Sequence, residues 1–125
     1  MRSDTSAEPG SSVLIVDPSA DCREVLSTLL QRRGVRTWET AQAREGLDLM
    51  RLHHPDVVVL DVDGEIADDD RLRREYDQQS QRERTSMVFL GATRRSAGQA
   101  ASGHGIAKPY HFAPLLRTIE QLLGK

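Results

Sequence analysis

The segment that decides the fold is VVVLDVDG, residues 57–64, in which four apolar residues run into Asp-x-Asp-Gly. Three of the four are β-branched, and a short uninterrupted apolar run is typical of a strand buried on both faces of a parallel sheet. The segment SVLIVD, residues 12–17, has the same form and also ends in an aspartate. A third run, SMVFLG, covers residues 86–91. These runs predict three buried strands of one parallel sheet.

Helical segments lie between the first two of these strands. One begins at Ser19, a suitable N-cap, and stops at Gly34. Another begins at Thr40 and stops before Pro55. The segment VRTWE, residues 35–39, lies between the two helices and is less apolar, which predicts an edge strand.

The second half of the chain continues the alternation. DRLRREYDQQ, residues 70–79, brings Leu72 and Tyr76 to one helical face, and GIAKP, residues 105–109, predicts a short last strand. The final segment HFAPLLRTIEQLL, residues 111–123, has its apolar residues at the spacing of one helical face.

This order of elements predicts an α/β fold, in which right-handed crossovers place helices on both faces of a parallel sheet. The helix over residues 96–102 is short at best. Five strand–helix units and an edge-like second strand predict a doubly wound, flavodoxin-like (βα)5 domain with strand order 2-1-3-4-5. The ligand site of such a sheet lies at the carboxyl ends of the strands that flank the switch point, here strands one and three.

Length and composition limit the class of protein. The 125 residues suffice for one domain, which we place at residues 12–125 behind a disordered tail of residues 1–11, with no output domain. A net charge of −2 and 4% aromatic residues argue against nucleic-acid binding. Cys22 is the only cysteine, which excludes an intrachain disulfide. No segment resembles a signal peptide or could span a bilayer, so a cytoplasmic protein without membrane contact is expected.

Two carboxylates are expected at the ligand-binding edge of the sheet, because strands one and three end in Asp17 and Asp61. Carboxylates that converge at one edge repel each other unless a cation or a proton intervenes, so the pattern suggests a hard divalent ion such as Mg²⁺. The alternative is that both residues cap neighbouring turns or helices.

Lys108 adds a positive charge after the fifth strand, directly before Pro109. Apart from Lys125, it is the only lysine among the 17 basic residues. A compact ammonium can approach a phosphoryl oxygen or a carboxylate as a point charge, where a planar guanidinium is bulkier. A surface lysine without a role in the site is the alternative.

Three motifs together resemble the receiver domain of two-component response regulators. VLIVDPSADCREVLSTLL, residues 13–30, resembles the first strand, acidic turn and first helix of that family. PDVVVLD, residues 55–61, resembles its phospho-acceptor strand, and AKPY, residues 107–110, resembles its Lys-Pro-aromatic turn. The resemblance covers residues 12–124.

The resemblance implies a role in a phosphorelay, as a switch and not as an enzyme. It makes Asp61 the nucleophile that accepts a phosphoryl group from a histidine kinase or a phosphotransfer protein, with Lys108 pairing first with the carboxylate and then with the phosphoryl group. It makes Asp17 and Asp61 ligands of Mg²⁺, to which Asp63 offers its backbone carbonyl. It also implies a cis peptide bond between Lys108 and Pro109.

Asp-x-Asp-Gly also resembles the nucleophile motif of haloacid-dehalogenase-type phosphatases. Those hydrolases need a metal-binding acidic pair well downstream of the nucleophile, but Glu120 is the only acid from residue 84 onward. The similarity is limited to LDVDG, residues 60–64, so the receiver interpretation is preferred.

One departure from the receiver pattern affects the metal site. Pro18 stands where the family has a second acid, directly after Asp17. The loss of a carboxylate should weaken Mg²⁺ binding, unless the carboxylate of Asp63 or Glu65 compensates.

Two further departures affect the response to phosphorylation. Gly91 stands where the family has the Thr or Ser that grips the phosphoryl group, and Thr93 is the nearest hydroxyl that could replace it. Gly105 stands where the family has the aromatic residue that moves with that hydroxyl.

Two functions therefore remain. The first is a stand-alone phospho-acceptor in which phosphorylation of Asp61 changes a docking face on strands four and five and the last helix, for a downstream protein or a second copy of the chain. The second is a pseudo-receiver that binds a partner or dimerises without phosphorylation.

Overall fold

The computed structural model describes residues 11–91 and 103–124. The elements in chain order are β1 (Ser12–Val16), α1 (Ala20–Arg32), β2 (Arg36–Thr40), α2 (Ala43–His53), β3 (Val57–Asp61), a 3-10 turn (Glu65–Asp68), α3 (Asp70–Glu83), β4 (Ser86–Leu90), β5 (Gly103–Ile106) and α4 (Phe112–Leu122). The predicted tail over residues 1–10 and the short helix over residues 96–102 lie outside the described residues. For Ser11 the tail prediction is wrong, because this residue is buried and its carbonyl accepts a hydrogen bond from the N–H of Arg36 at 3.0 Å.

The five strands form one parallel sheet in the order β2-β1-β3-β4-β5, which confirms the α/β, flavodoxin-like fold and the strand order 2-1-3-4-5. β1 and β3 are buried along their whole length, whereas only the last residue of the edge strand β2 is buried. The second helix begins at Ala43 instead of Thr40, because the Thr40 side chain turns the chain between β2 and α2. Its hydroxyl accepts from the N–H of Gln42 at 3.2 Å and donates to the Glu45 carboxylate at 2.5 Å.

Alternate residues of β1 and β3 belong to two apolar clusters, one on each face of the sheet. One cluster joins them to α2 and α3, and its central members are Leu14, Val16, Val58, Leu60, Leu47, Met50, Leu72 and Tyr76. The other joins them to α1 and α4, and its central members are Val13, Ile15, Val57, Val59, Leu26, Leu30, Leu115 and Ile119. The sheet is thus packed between two layers of helices, which hold the carboxyl ends of its strands in place. Within the described residues, no helix is both long and apolar enough to cross a membrane.

Gly46 marks the closest approach of α2 to the sheet. A Cβ atom at this position would overlap the hydroxyl of Tyr76 and a methyl group of Val16. The Tyr76 side chain cannot easily move, since it is 1% exposed and its hydroxyl donates to the Ala43 carbonyl at 2.5 Å. Leu72 and Tyr76, predicted to share one helical face, both belong to this core cluster. Glycine is required on α2 because of the contact with Tyr76.

Gly46→Ala should lower the free energy of unfolding by about 1–3 kcal/mol through overpacking, although alanine favours a helix over glycine by about 0.8–1 kcal/mol. Urea denaturation measures this difference. In a Tyr76→Phe background the overlapping oxygen is absent, so the loss caused by Gly46→Ala should be smaller. An equal loss in both backgrounds would contradict the role given to the Tyr76 hydroxyl.

Candidate functional site

Asp17 and Asp61 lie side by side at the carboxyl edge of the sheet, because β1 and β3 are neighbours. Both are buried, with 3% and 7% of their surface exposed. The N–H of Asp17 extends the sheet by donating to the Thr40 carbonyl at 3.1 Å. Each carboxylate also accepts a backbone hydrogen bond of 2.8 Å through its Oδ1 atom, from Ser19 to Asp17 and from Asp63 to Asp61. The carboxylates therefore cap their own turns and at the same time repel one another.

The first helix holds Asp17 in position from the other side. The Ser19 hydroxyl accepts from the N–H of Cys22 at 3.2 Å, which confirms the predicted N-cap of α1. Arg23, one turn further along α1, donates from its guanidinium to the Asp17 carbonyl at 2.7 Å. Both the backbone and the side chain of Asp17 are thus tied to the start of α1.

The electrostatics of Asp17 favour a cation at this edge. Burial raises the pKa of Asp17, the hydrogen bond from Ser19 lowers it, and repulsion from Asp61 raises it further. The positive charges of Lys108 and Arg23 lower the pKa but do not restore its usual value. The charged form of Asp17 is therefore disfavoured, and a bound cation would stabilise it.

Lys108 reaches into the site from the loop after β5. Its Nζ atom donates to Oδ2 of Asp61 at 2.5 Å and lies 3.6 Å from Oδ2 of Asp63. Burial lowers the pKa of Lys108, but the hydrogen bond to Asp61 and the attraction of Asp61, Asp63 and Asp17 outweigh this effect, and the pKa is raised. The Lys108–Pro109 peptide bond is cis, as expected. Lys108 is thus a charged member of the site and not an isolated surface lysine.

The Asp63 side chain turns toward the end of β4. A Cβ atom at Gly91 would overlap its carboxylate, and Gly91 has a φ of +118°. The N–H of Gly91 donates to the Ile106 carbonyl at 2.9 Å, which keeps this residue in the hydrogen-bonding pattern of the sheet. The other two candidates near this point, Thr93 and the side chain of Glu65, lie outside the described residues.

An open cleft of about 610 Å³ lies beside the two carboxylates. Pro18, Cys22, Tyr110 and Phe112 give it an apolar wall next to Asp61. Burial and a hydrogen bond to Cys22 raise the pKa of Tyr110, so its phenol is neutral at physiological pH. From the sequence, Tyr110 was identified only as part of the Lys-Pro-aromatic motif, and Phe112 was not predicted to lie in the site. The aromatic residue after Pro109 was the feature of the sequence that could have indicated an aromatic wall. The rings of Tyr110 and Phe112 pack edge to face, with their centroids 5.6 Å apart.

The donor set fits a magnesium ion that keeps much of its water. Mg²⁺ is commonly held by one or two carboxylates and several waters, not by a complete protein cage. Asp17 and Asp61 supply two carboxylates, and Pro18 supplies none. Within residues 11–91 and 103–124, no group of three or more His, Cys, Asp or Glu side chains is placed to hold a metal ion.

Solved structures of a chemotaxis protein and of a receiver domain share this fold. The chemotaxis protein CheY4 of Vibrio cholerae is 26% identical, with a TM-score of 0.74 over 91% of this chain and 99% of that chain. The receiver domain of a sensor histidine kinase from Pseudomonas aeruginosa, with a magnesium ion coordinated in its active-site cleft, is 21% identical, with a TM-score of 0.75 over 94% and 100% of the two chains. The chain resembles response-regulator receiver domains and has their fold. The resemblance noted in the sequence is confirmed.

The curated relatives match only part of this receiver fold. A protein-glutamate methylesterase/protein-glutamine glutaminase from Nitratidesulfovibrio vulgaris is 46% identical over 54 residues, which is 42% of this chain and 15% of the relative. A second such protein, from Oleidesulfovibrio alaskensis, is 43% identical over 53 residues, or 41% of this chain and 14% of the relative. No protein-family model matches the chain. The matches thus cover a small part of these relatives, and their enzymatic activities are not carried over.

Asp17→Asn should raise the free energy of unfolding by about 1 kcal/mol at neutral pH without divalent ions, a typical gain when a strained functional site is relaxed. It removes a buried charge repelled by Asp61 and keeps an oxygen that can accept from Ser19. Because the pKa of Asp17 is raised in the folded state, the gain should shrink as the pH falls and the wild-type carboxyl becomes protonated.

Chemical denaturation in a chelating buffer measures this effect. Asp21→Asn, at an exposed acid in the first turn of α1, is the matched control and should change stability by less than about 0.5 kcal/mol. A loss of stability in Asp17→Asn would contradict the electrostatic account.

Proposed function

We propose that this receiver-like domain accepts a phosphoryl group on Asp61 in a phosphorelay. The observation that carries the proposal is the 2.5 Å hydrogen bond from Lys108 Nζ to Asp61 Oδ2, beside the buried carboxylate of Asp17. A lysine in contact with one of two adjacent buried carboxylates supplies a fixed positive charge where a phosphoryl group would arrive. Asp61 and Lys108 both line the cleft, where a phosphoryl donor could reach them.

The proposed reaction is phosphoryl transfer from a phosphohistidine donor. A carboxylate oxygen of Asp61 forms a bond to phosphorus while the bond between phosphorus and the imidazole nitrogen breaks, and the electron pair stays with the imidazole. The N–H of Asp63 holds the other oxygen of the carboxylate, which orients the nucleophile. Lys108 stabilises the charge on the transferred group, so this chain contributes positioning and charge while the donor supplies the activated phosphoryl group.

Asp17 and Asp61 would hold Mg²⁺ through their carboxylates, and Asp63 through its backbone carbonyl. When bound, the ion neutralises negative charge on the phosphoryl oxygens. The position of the Asp63 carboxylate, near Lys108 and over Gly91, supports the carbonyl role over a replacement for the missing acid at Pro18. We therefore expect magnesium binding weaker than with a second acid.

The proposed partners follow from this chemistry. A histidine kinase or a phosphotransfer protein would present its phosphohistidine at the cleft beside Pro18 and Tyr110. A downstream protein or a second copy of the chain would bind the phosphorylated domain on the face formed by β4, β5 and α4. Residues 12–125 would act as one receiver domain in this scheme.

A pseudo-receiver is the second candidate, and three residues favour it. Pro18 removes one acid from the metal site, Gly91 has no hydroxyl, and Gly105 in β5 has no side chain to move. In that case the apolar wall of the cleft would bind a partner without phosphorylation.

Incubation with Mg²⁺ and acetyl phosphate should add one phosphoryl group, detected by intact mass spectrometry. Asp61→Asn should abolish the adduct, because the amide is not a nucleophile for this reaction. Asp48→Asn, at an exposed acid of α2, is the control and should be phosphorylated like the wild type. Absence of an adduct on the wild type at millimolar Mg²⁺ would favour the pseudo-receiver.

Pro18→Asp should tighten Mg²⁺ binding by about tenfold, equivalent to about 1.4 kcal/mol, because it adds a carboxylate next to Asp17. Isothermal titration calorimetry measures the affinity. Pro18→Ala separates the loss of proline from the gain of charge and should leave the affinity close to that of the wild type. Equal affinity in wild type and Pro18→Asp would indicate that Asp63 or Glu65 already supplies the carboxylate.

A further inference from the structure

We propose that the Asp63 carboxylate competes with the Asp61 site for Lys108, and that phosphorylation of Asp61 displaces it from its position over Gly91. The inference rests on the proposed function of Asp61. It gives Asp63 and Gly91 a positioning role in a domain that has glycine at position 91.

The competition follows from one ammonium group facing two carboxylates. Lys108 Nζ lies 2.5 Å from Asp61 Oδ2 and 3.6 Å from Asp63 Oδ2. The Asp61 side chain is 5% exposed and its other oxygen is held by a backbone N–H. The Asp63 side chain is 45% exposed and can turn into solvent, where a charge is well solvated. Asp63 is therefore the carboxylate that moves away when negative charge is added beside Lys108.

Gly91 is what allows Asp63 to occupy this position. Any residue with a Cβ atom at Gly91 would overlap the Asp63 carboxylate, and the φ of +118° disfavours other residues as well. The glycine at the end of β4 and the acid in the loop after β3 thus depend on each other. The Asp63 carboxylate fills space that a side chain at position 91 would need.

Phosphorylation of Asp61 changes the charge next to Asp63 in a defined direction. A phosphoryl group carries a charge of roughly −1.5 to −2 at neutral pH and three strong acceptor oxygens. Lys108 would turn to these oxygens, so Asp63 would lose its interaction with this ammonium group and face a second negative group. Repulsion then moves the Asp63 side chain away from Gly91, and the surface at the end of β4 changes.

Binding of beryllofluoride, a phosphoryl mimic, tests the competition. With Mg²⁺ present, Asp63→Asn should bind beryllofluoride about three- to tenfold more tightly than the wild type, because the competing charge is removed while the backbone carbonyl and N–H of residue 63 remain. Fluorine NMR of the bound mimic measures the affinity. Asp68→Asn, at an exposed acid in the same loop, is the matched control and should bind like the wild type.

The outcomes separate the two proposals. A wild type that binds the mimic, with Asp63→Asn equal to it or weaker, would overturn the competition and leave the proposed function intact. A wild type that does not bind the mimic at any Mg²⁺ concentration would overturn the proposed function and with it the displacement of Asp63.

A stability measurement tests the contact between Asp63 and Gly91 without any ligand. Gly91→Ala should lower the urea midpoint in the wild type, and this loss should be at least halved in an Asp63→Ala background, where the overlapping carboxylate is absent. The loss that remains reports the positive φ of Gly91. Equal losses in both backgrounds would show that Asp63 does not occupy the space over Gly91 and would overturn the proposal.

Discussion

The site depends on the balance between the two buried carboxylates of Asp17 and Asp61 and the single ammonium of Lys108. Parallel pairing of β1 with β3 places the two acids next to each other, and the two helical layers prevent either strand end from moving away. Two adjacent buried charges of one sign are unfavourable without a cation. The chain after β5 supplies that cation directly, at 2.5 Å from Asp61.

The single ammonium of Lys108 does not compensate for both carboxylates, so the site lacks positive charge. The pKa of Asp17 stays raised although Lys108 and Arg23 oppose the shift, so the fold keeps an unfavourable interaction at its carboxyl edge. Such an interaction is costly for stability and useful for binding a divalent ion and a phosphoryl group. The turn hydrogen bonds from Ser19 and Asp63 hold the two carboxylates in spite of their repulsion. The proposed function uses this arrangement to bind charge at the end of the sheet.

Much of the arrangement could be predicted from the sequence, because it depends on periodicity and topology. The uninterrupted apolar runs specified the buried strands, and the order of elements then brought Asp17, Asp61 and Lys108 to one edge. Contacts that depend on the direction of individual side chains could not be predicted. The overlap of a Gly46 Cβ atom with Tyr76 requires the distance between α2 and the sheet. The turn of Asp63 toward the end of β4 depends on the position of Lys108, 45 residues later in the chain.

The central claim is that Asp61 is the residue that carries the phosphoryl group. Reduction of the phosphorylated protein with borohydride converts an aspartyl phosphate to homoserine, and peptide sequencing by mass spectrometry then locates it. The account predicts homoserine at position 61 and none at position 63. Homoserine at position 63, or its absence from both positions after incubation with Mg²⁺ and a phosphoryl donor, would contradict it.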